Sequence, residues 1–355
     1  MKKIVLSFAT IAMLFTSCND DQNVINTNEQ SKIDMSDFYV YTDADLDEAE
    51  KVANNSKLKS CYSMVNLNRM LNEDPSLEKK LYDIEYHTRS QINAKKPNGN
   101  GNGNGNSGGG NDGGTDPVTD NLGIINIPVN IHVVYSNAQQ NVSDNQINAQ
   151  IAVLNDDFRA SNNDINQVPS EFAGLVADSE INFTLANTFR HSNSTSAWST
   201  NDAVKDAYPP VSPSTHLNIW ICNISGGILG YAQFPGGPSA TDGVVVLYSS
   251  LPGGSAAPYN EGRTLTHEVG HYLNLRHIWG DGRCNRDDFV TDTPTSDAAN
   301  YGCPSYPTVN CRTTDMTMNY MDYVDDSCMY MFSEGQKLRM RSIFESGGAR
   351  ESMLN

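Results

Sequence analysis

Residues 266–277 read Thr266-His267-Glu268-Val269-Gly270-His271-Tyr272-Leu273-Asn274-Leu275-Arg276-His277. On a helix, side chains four positions apart share a face, so the imidazoles of His267 and His271 can meet at one metal ion. Glu268 stands one residue round, close enough to hold a water beside that ion without ligating it. Leu265, Val269, Tyr272 and Leu273 mark the helix as buried. The third histidine decides the chemistry. His277 is too far round to share the face of a continuing helix, so the chain must turn sharply near Asn274. Asparagine tolerates the left-handed conformation that a helix end demands. Three histidines with one open position describe a catalytic rather than a structural zinc site. Zinc brings the pKa of bound water toward about 7. Glu268 can then take the proton as general base and pass it to a leaving amine.

Outward from this motif, helix and strand patterns interleave without a strict repeat. Ile127, Val129, Ile131 and Val133 alternate with Pro128, Asn130 and His132, which predicts a half-buried strand. Ser143 with Gln146 forms a capping box, followed on one helical face by Ile147, Ile151, Leu154 and Phe158. Ile181, Phe183 and Leu185 alternate again, as do Leu217, Ile219 and Ile221, and Val244 to Tyr248 reads as a central strand. Ser333 and Gln336 cap a last helix. The fold class is α+β with a mixed sheet. Gly and Pro crowd 226–254 and 280–307, predicting long structured loops of the kind that carry function.

Between Pro97 and Pro117 the composition collapses to Asn, Gly, Ser and Asp, so residues 97–117 form a linker with too little apolar surface to offset ordering entropy. Residues 118–355 make the catalytic part and 18–96 a smaller unit ahead of it. From Ser60 to Ile92 that unit is amphipathic: Met64, Leu67 and Leu71, then Leu77, Leu81 and Ile84, recur at helical spacing, broken at Asp74-Pro75. Lys2 and Lys3 head an apolar run from Ile4 to Phe15, an export leader over residues 1–17. Ser17-Cys18 resembles a bacterial lipoprotein junction, with ordinary leader cleavage as the alternative. The protein is therefore exported, either tethered at the cell envelope or surface through a lipid on Cys18 or secreted outright. No later segment approaches a membrane-spanning length. The formal charge of −18 excludes nucleic acid as a partner, since phosphate neutralisation needs clustered Lys and Arg. Beyond Cys18, six cysteines remain as disulfide candidates for an exported chain.

The histidine motif resembles that of the metzincin metallopeptidases, His-Glu-x-x-His-x-x-Gly-x-x-His, with Asn274 where most members have Gly. Asn319-Tyr320-Met321-Asp322-Tyr323 resembles their methionine turn. The likeness is closest to the pappalysin family, carried by His132-Val133-Val134-Tyr135, Leu217-Asn218-Ile219-Trp220, Gly230 to Gly236, Asp242-Gly243-Val244-Val245 and Gly280-Asp281. It implies a metzincin catalytic domain: a twisted mixed sheet, a long active-site helix and a loop-rich lower half. The activity implied is zinc-dependent endopeptidase cleavage of extracytoplasmic proteins or peptides. Tyr323 would reach the metal or the oxyanion, and Met321 would pack beneath the ligands. Asp326 would line the first primed-side pocket and favour Arg or Lys after the scissile bond. Cys284, Cys303, Cys311 and Cys328 allow three pairings; the family implies Cys284 with Cys311 and Cys303 with Cys328. The carboxylates and turn carbonyls of Asp287 to Pro294 suit Ca²⁺, supported by the resemblance, at Asp288, Thr291 and Thr293. Ser60-Cys61-Tyr62-Ser63-Met64 resembles the pappalysin prosegment, in which a cysteine thiolate fills the open zinc position and keeps the precursor latent. The alternative for Cys61 is a disulfide with Cys222. Two other functions compete: a zinc hydrolase with a downstream carboxylate in place of His277, and a binding lipoprotein with a degenerate site. Glu268 speaks against the latter.

Overall fold

The computed structural model describes residues 33–44, 60–95 and 120–354. The chain divides into two units, Met1–Asp34 and Met35–Asn355; of the first only residues 33 and 34 are described, and they carry no regular structure. The leader 1–17, Cys18 and the linker 97–117 lie outside the described residues.

Six strands build one mixed sheet: β1 (Ser60–Cys61), β2 (Ile125–Tyr135), β3 (Ile181–Ser192), β4 (Leu217–Cys222), β5 (Ile228–Ala232) and β6 (Val244–Leu247), in the order β1-β5-β6-β4-β2-β3. β5 runs antiparallel to β6, while the other neighbours are parallel. β4 and β6 lie inside the sheet and are buried along their whole length; such strands read as continuous apolar runs. The helices are α1 (Ser63–Glu73), α2 (Ser76–Ala94), α3 (Asp144–Phe158), α4 (Ala203–Ala207), α5 (Arg263–Tyr272) and α6 (Glu334–Ser342). Both capping boxes, at Ser143 and Ser333, are present with reciprocal hydrogen bonds.

On one face of β2, Ile127, Val129, Ile131 and Val133 pack in a core with Ile147, Leu154 and Phe158 of α3 and Leu265 and Val269 of α5. The other face departs from the half-buried expectation: Asn130, His132 and Val134 are buried too. His132 stacks on Trp220 at 5.0 Å and donates from Nε2 to Asn218 Oδ1, and Asn130 donates to the Val211 carbonyl. Alternation reported polarity correctly but not exposure, because a second layer around Trp198, Trp220 and Tyr231 covers that face. The active-site helix is also shorter than expected, with 10 residues.

Below α5, between Leu273 and Phe332, the described chain is mostly loop. Its regular elements are the hairpin β7 (Val309–Asn310) with β8 (Thr313–Thr314) and a short turn at Asp326–Cys328. Disulfides Cys284–Cys311 and Cys303–Cys328 brace it, the crossed pairing that the resemblance implied.

The N-terminal part is more than a helical pair. α1 and α2 break at Asp74-Pro75 as expected, but Ser60–Cys61 adds an edge strand beside β5, with Tyr62 N donating to the Gly230 carbonyl at 2.9 Å. Val40, Met64, Leu67, Leu71, Leu77 and Leu81 form an apolar cluster that closes on Phe234 of the catalytic part. A buried ion pair joins Glu85 of α2 to Arg339 of α6 at 2.5 Å. Arg339 in turn donates to the Asn274 carbonyl at 2.8 Å, and Asn274 donates to Thr88. Burial pushes the Glu85 carboxyl up, but Arg339 and then Arg89 outweigh it and hold the group below its ordinary value.

Breaking a buried pair costs about 3–5 kcal/mol. Glu85→Ala should therefore raise amide exchange across Ser76–Ala94 by about two orders of magnitude or more, read by hydrogen exchange on the full-length chain. Since folding depresses this carboxyl, its contribution is complete above the ordinary carboxylate pKa and is lost as pH falls through the lower folded value. Protection of α2 in the wild type should accordingly decline in acid, and Glu85→Gln should flatten that dependence.

Candidate metal centre

α5 begins after Gly262 in the left-handed region (φ 96°) and stops where Asn274 adopts φ 76°. Asn274 N donates to His271 O and Leu275 N to Gly270 O, both at 3.0 Å, the paired bonds of a Schellman end with asparagine in the left-handed place. The chain then reverses and brings His277 back to the other two rings. Gly270 permits the approach from below, since a Cβ there would lie 2.4 Å from Met321 Sδ.

All three rings are held by their Nδ1 atoms. His267 Nδ1 faces the Tyr320 carbonyl at 2.7 Å, His271 Nδ1 the Leu275 carbonyl at 2.8 Å, and His277 Nδ1 the Asp281 carboxylate at 2.5 Å. These partners only accept, so each Nδ1 donates its proton and each Nε2 is turned toward the other two rings. His271 Nε2 lies 3.1 Å from both His267 Nε2 and His277 Nε2. Burial and the neighbouring imidazoles hold His267 down to about 3 and His271 well below its ordinary value. Three ring nitrogens converging on one point in a buried site make a ready place for a cation. The donor set fits zinc.

Cys61 Sγ completes the cluster: its sulfur and the three ring nitrogens lie within 4.8 Å of one another. Burial first, then Glu268, pushes the thiol well up, so only an adjoining cation would stabilise its thiolate. Cys222 is a free buried thiol in β4, so the Cys61–Cys222 disulfide is not formed. Glu268 is fully buried, and a Cβ on Gly230 would sit 2.8 Å from its Cγ. Its Oε2 accepts from Cys61 Sγ at 3.3 Å and from Ser63 Oγ at 2.7 Å, and burial pushes the carboxyl up to about 7. Tyr323 donates its hydroxyl to the Cys61 carbonyl at 3.2 Å, with its ring edge-on to His277 at 4.8 Å.

Asp326 lines a cavity beside His267 and Glu268, together with Tyr259, Thr264 and Met329. Its Oδ2 accepts from the backbone of Glu261 at 2.8 Å and Arg263 at 3.4 Å, and burial pushes it up to about 7. In the 288–293 loop, Asp288 and Thr293 are buried and joined by the Thr293 hydroxyl at 2.9 Å, whereas Thr291 is exposed. Of the three residues expected around calcium, the fold brings only these two side chains together. Ser63 and Asp281 were missed by sequence reasoning. Ser63, the first residue of α1, follows an edge strand too short to leave a pattern. Asp281 meets His277 across a tight turn, Gly280 N to His277 O at 2.9 Å, where spacing carries no periodic signal.

Partners that orient a ligand histidine are typically worth about 10–100-fold in metal affinity. Asp281→Asn should weaken zinc retention by that order, measured by competition with a chromophoric chelator.

The family model described as pregnancy-associated plasma protein-A matches residues 199–345. Extracellular metalloprotease 1 of Coccidioides posadasii is 34% identical over 230 residues, covering 62% of this chain and 77% of the relative. The extracellular metalloprotease of Arthroderma gypseum is 36% identical over 233 residues, covering 62% and 73%. Mature mirolysin of Tannerella forsythia, solved with a cleaved peptide, is 46% identical with a TM-score of 0.63, covering 64% of this chain and 95% of that one. A promirolysin mutant from the same organism is 38% identical with a TM-score of 0.70, covering 83% and 97%. The larger share of this chain matched by the precursor accords with the N-terminal helical part being a prosegment. With these likenesses added to the site's geometry, the chain belongs to the pappalysin family of metzincin metalloendopeptidases and carries a prosegment ahead of its catalytic part.

Proposed function

We propose that this secreted zinc metallopeptidase is an endopeptidase held latent by Cys61, with His267, His271 and His277 as zinc ligands and Glu268 as general base. The observation that carries the reading is the convergence of three Nε2 atoms beside a buried carboxylate. Zinc bound there supplies Lewis acidity, which makes water a better nucleophile at neutral pH and polarises the scissile carbonyl. Glu268 takes the proton of the attacking water and returns it to the leaving amine; a carboxyl held at about 7 is matched to both transfers. Tyr323, once released from the Cys61 carbonyl, can donate to the carbonyl oxygen as negative charge develops. The edge of β5 supplies the binding frame: Gly230 O and Ala232 N, now engaged by Tyr62 N and Ser63 Oγ, are free to pair with an extended substrate after the prosegment leaves.

In the latent chain the reading gives the prosegment two blocking atoms, the Cys61 sulfur at the ion and the Ser63 hydroxyl on the base. Asp326 would select Arg or Lys after the scissile bond; its support is a buried carboxylate lining the cavity beside Glu268. The Asp288 loop, including Thr291 and Thr293, would take Ca²⁺, supported by a buried carboxyl that burial and neighbouring Asp287 push well above its ordinary value. We further read residues 1–17 as the leader, Cys18 as the lipid-bearing residue, 18–96 as the prosegment, 97–117 as the linker and 118–355 as the catalytic domain. Among the described residues no helix is long and apolar enough to cross a membrane.

Metal analysis of the full-length chain should return both zinc and calcium. After activation, Glu268→Ala should lose about 10²–10⁴-fold in turnover while keeping its zinc; an unimpaired variant, or a wild type without zinc, sinks the proposal. Cys61→Ala should shorten the lag before activity appears in the precursor, and Ser63→Ala should do so less, because the sulfur stays in place.

For specificity, cleavage of a peptide library should favour basic residues after the scissile bond. That preference should strengthen from pH 6 to 8 as Asp326, pushed up to about 7, becomes ionised. Asp326→Asn should reduce it by about tenfold or more; a preference unchanged in both tests removes Asp326 from the pocket's chemistry.

A further inference from the structure

We infer that Asp157, on α3, is a positioning residue for the metal centre that fixes the ring of His267 from two sides. The inference rests on His267 being a zinc ligand. Asp157 is 2% exposed and stands at the junction of three chain segments. Thr266, directly before His267 in α5, donates its hydroxyl to Asp157 Oδ2 at 2.7 Å. Tyr320, directly before Met321, donates its hydroxyl to Asp157 Oδ1 at 2.8 Å. The backbone carbonyl of that same Tyr320 accepts the Nδ1 proton of His267 at 2.7 Å. One carboxylate therefore ties down both the helix that carries the ring and the peptide that sets its angle. Arg263 lies 3.5 Å from Asp157 Oδ1, but its hydrogen bonds go to Asp164 and to the Asp326 carbonyl, so it neutralises the site without replacing either hydroxyl.

Packing alone does not account for this group. Asp157 borders the core that contains Phe158, Tyr320 and Phe332, where a carboxylate carries a desolvation cost that its two hydroxyl donors and the nearby Arg263 offset. The carboxylate and its two donors sit where the methionine turn meets the residue preceding the first histidine. Their geometry matters to the ion because the direction of the Nδ1 hydrogen bond sets both the tautomer and the aim of Nε2.

The test uses the full-length precursor and three variants. Thr266→Val keeps the shape and removes the hydroxyl, Thr266→Ser restores it, and Asp157→Asn removes the charge. Three quantities are read: the zinc dissociation constant by chelator competition, the visible bands of the cobalt-substituted protein, and the unfolding midpoint of the metal-free protein. Thr266→Val and Asp157→Asn should weaken zinc by about tenfold or more and alter the cobalt bands, with Thr266→Ser close to wild type. If Asp157→Asn does not fold, the valine and serine pair decides alone. A lowered metal-free midpoint with wild-type zinc affinity and wild-type cobalt bands overturns the inference. Failure of the underlying reading is separable: His267→Ala would then bind zinc as tightly as wild type.

Discussion

Three imidazole nitrogens crowd together inside the protein, His271 Nε2 lying 3.1 Å from each of the other two, an arrangement that a cation at their centre would hold. Much of the molecule serves to keep them there. The helix must end soon after His271, and Asn274 must take a left-handed conformation so that His277 returns. Glycine at 270 lets Met321 rise beneath the rings. Each Nδ1 proton is anchored by a different kind of group: a methionine-turn carbonyl, a carbonyl just past the helix end, and a carboxylate across a tight turn. A centre oriented from three independent segments tolerates little drift in any of them.

The prosegment exploits the same geometry. It lies along β5 as a short strand and so occupies the Gly230 carbonyl and, through Ser63, the Ala232 N–H, while Cys61 meets the three histidines and Ser63 the Glu268 carboxylate. Two paired residues are a weak attachment, and the holding energy lies elsewhere. An apolar cluster closes on Phe234, Arg69 pairs with Asp202, and Glu85 pairs with Arg339 beneath the turn at Asn274. Because Arg339 also holds the Asn274 carbonyl, the docking site of α2 and the reversal that delivers His277 share one guanidinium. Release of the prosegment and the integrity of the centre are thereby linked through a group outside the cleft.

Burial sets the acid–base character of the cleft. Glu268, Asp322 and Asp326 are all pushed up to about 7, in each case mainly by loss of water. Asp322 is occupied by Asn300 and the Tyr323 backbone. All three line the cavity; Asp326 is held by the backbone of Glu261 and Arg263, whereas Glu268 is engaged by Cys61 and Ser63.

By itself the sequence determined what depends on local periodicity and residue chemistry. The four-residue spacing of His267 and His271, the required turn at Asn274, both capping boxes, the break at Asp74-Pro75 and the buried run at Val244 are near-neighbour facts, and all of them hold. Resemblance added the crossed disulfides and the place of Cys61. Only the tertiary structure decided what depends on segments far apart in the chain. It covered the second face of β2, made an edge strand of Ser60–Cys61, and ended the active-site helix after ten residues. It set Ser63 and Asp157 around the histidine centre, while the local turns that bring Asp281 to His277 and Asp288 to Thr293 carry no period to read. The physical reason is that a hydrogen bond between residues more than a hundred positions apart, such as Asp157 with Thr266, leaves no period in the sequence. It arises only once two helices and a turn have packed against one sheet.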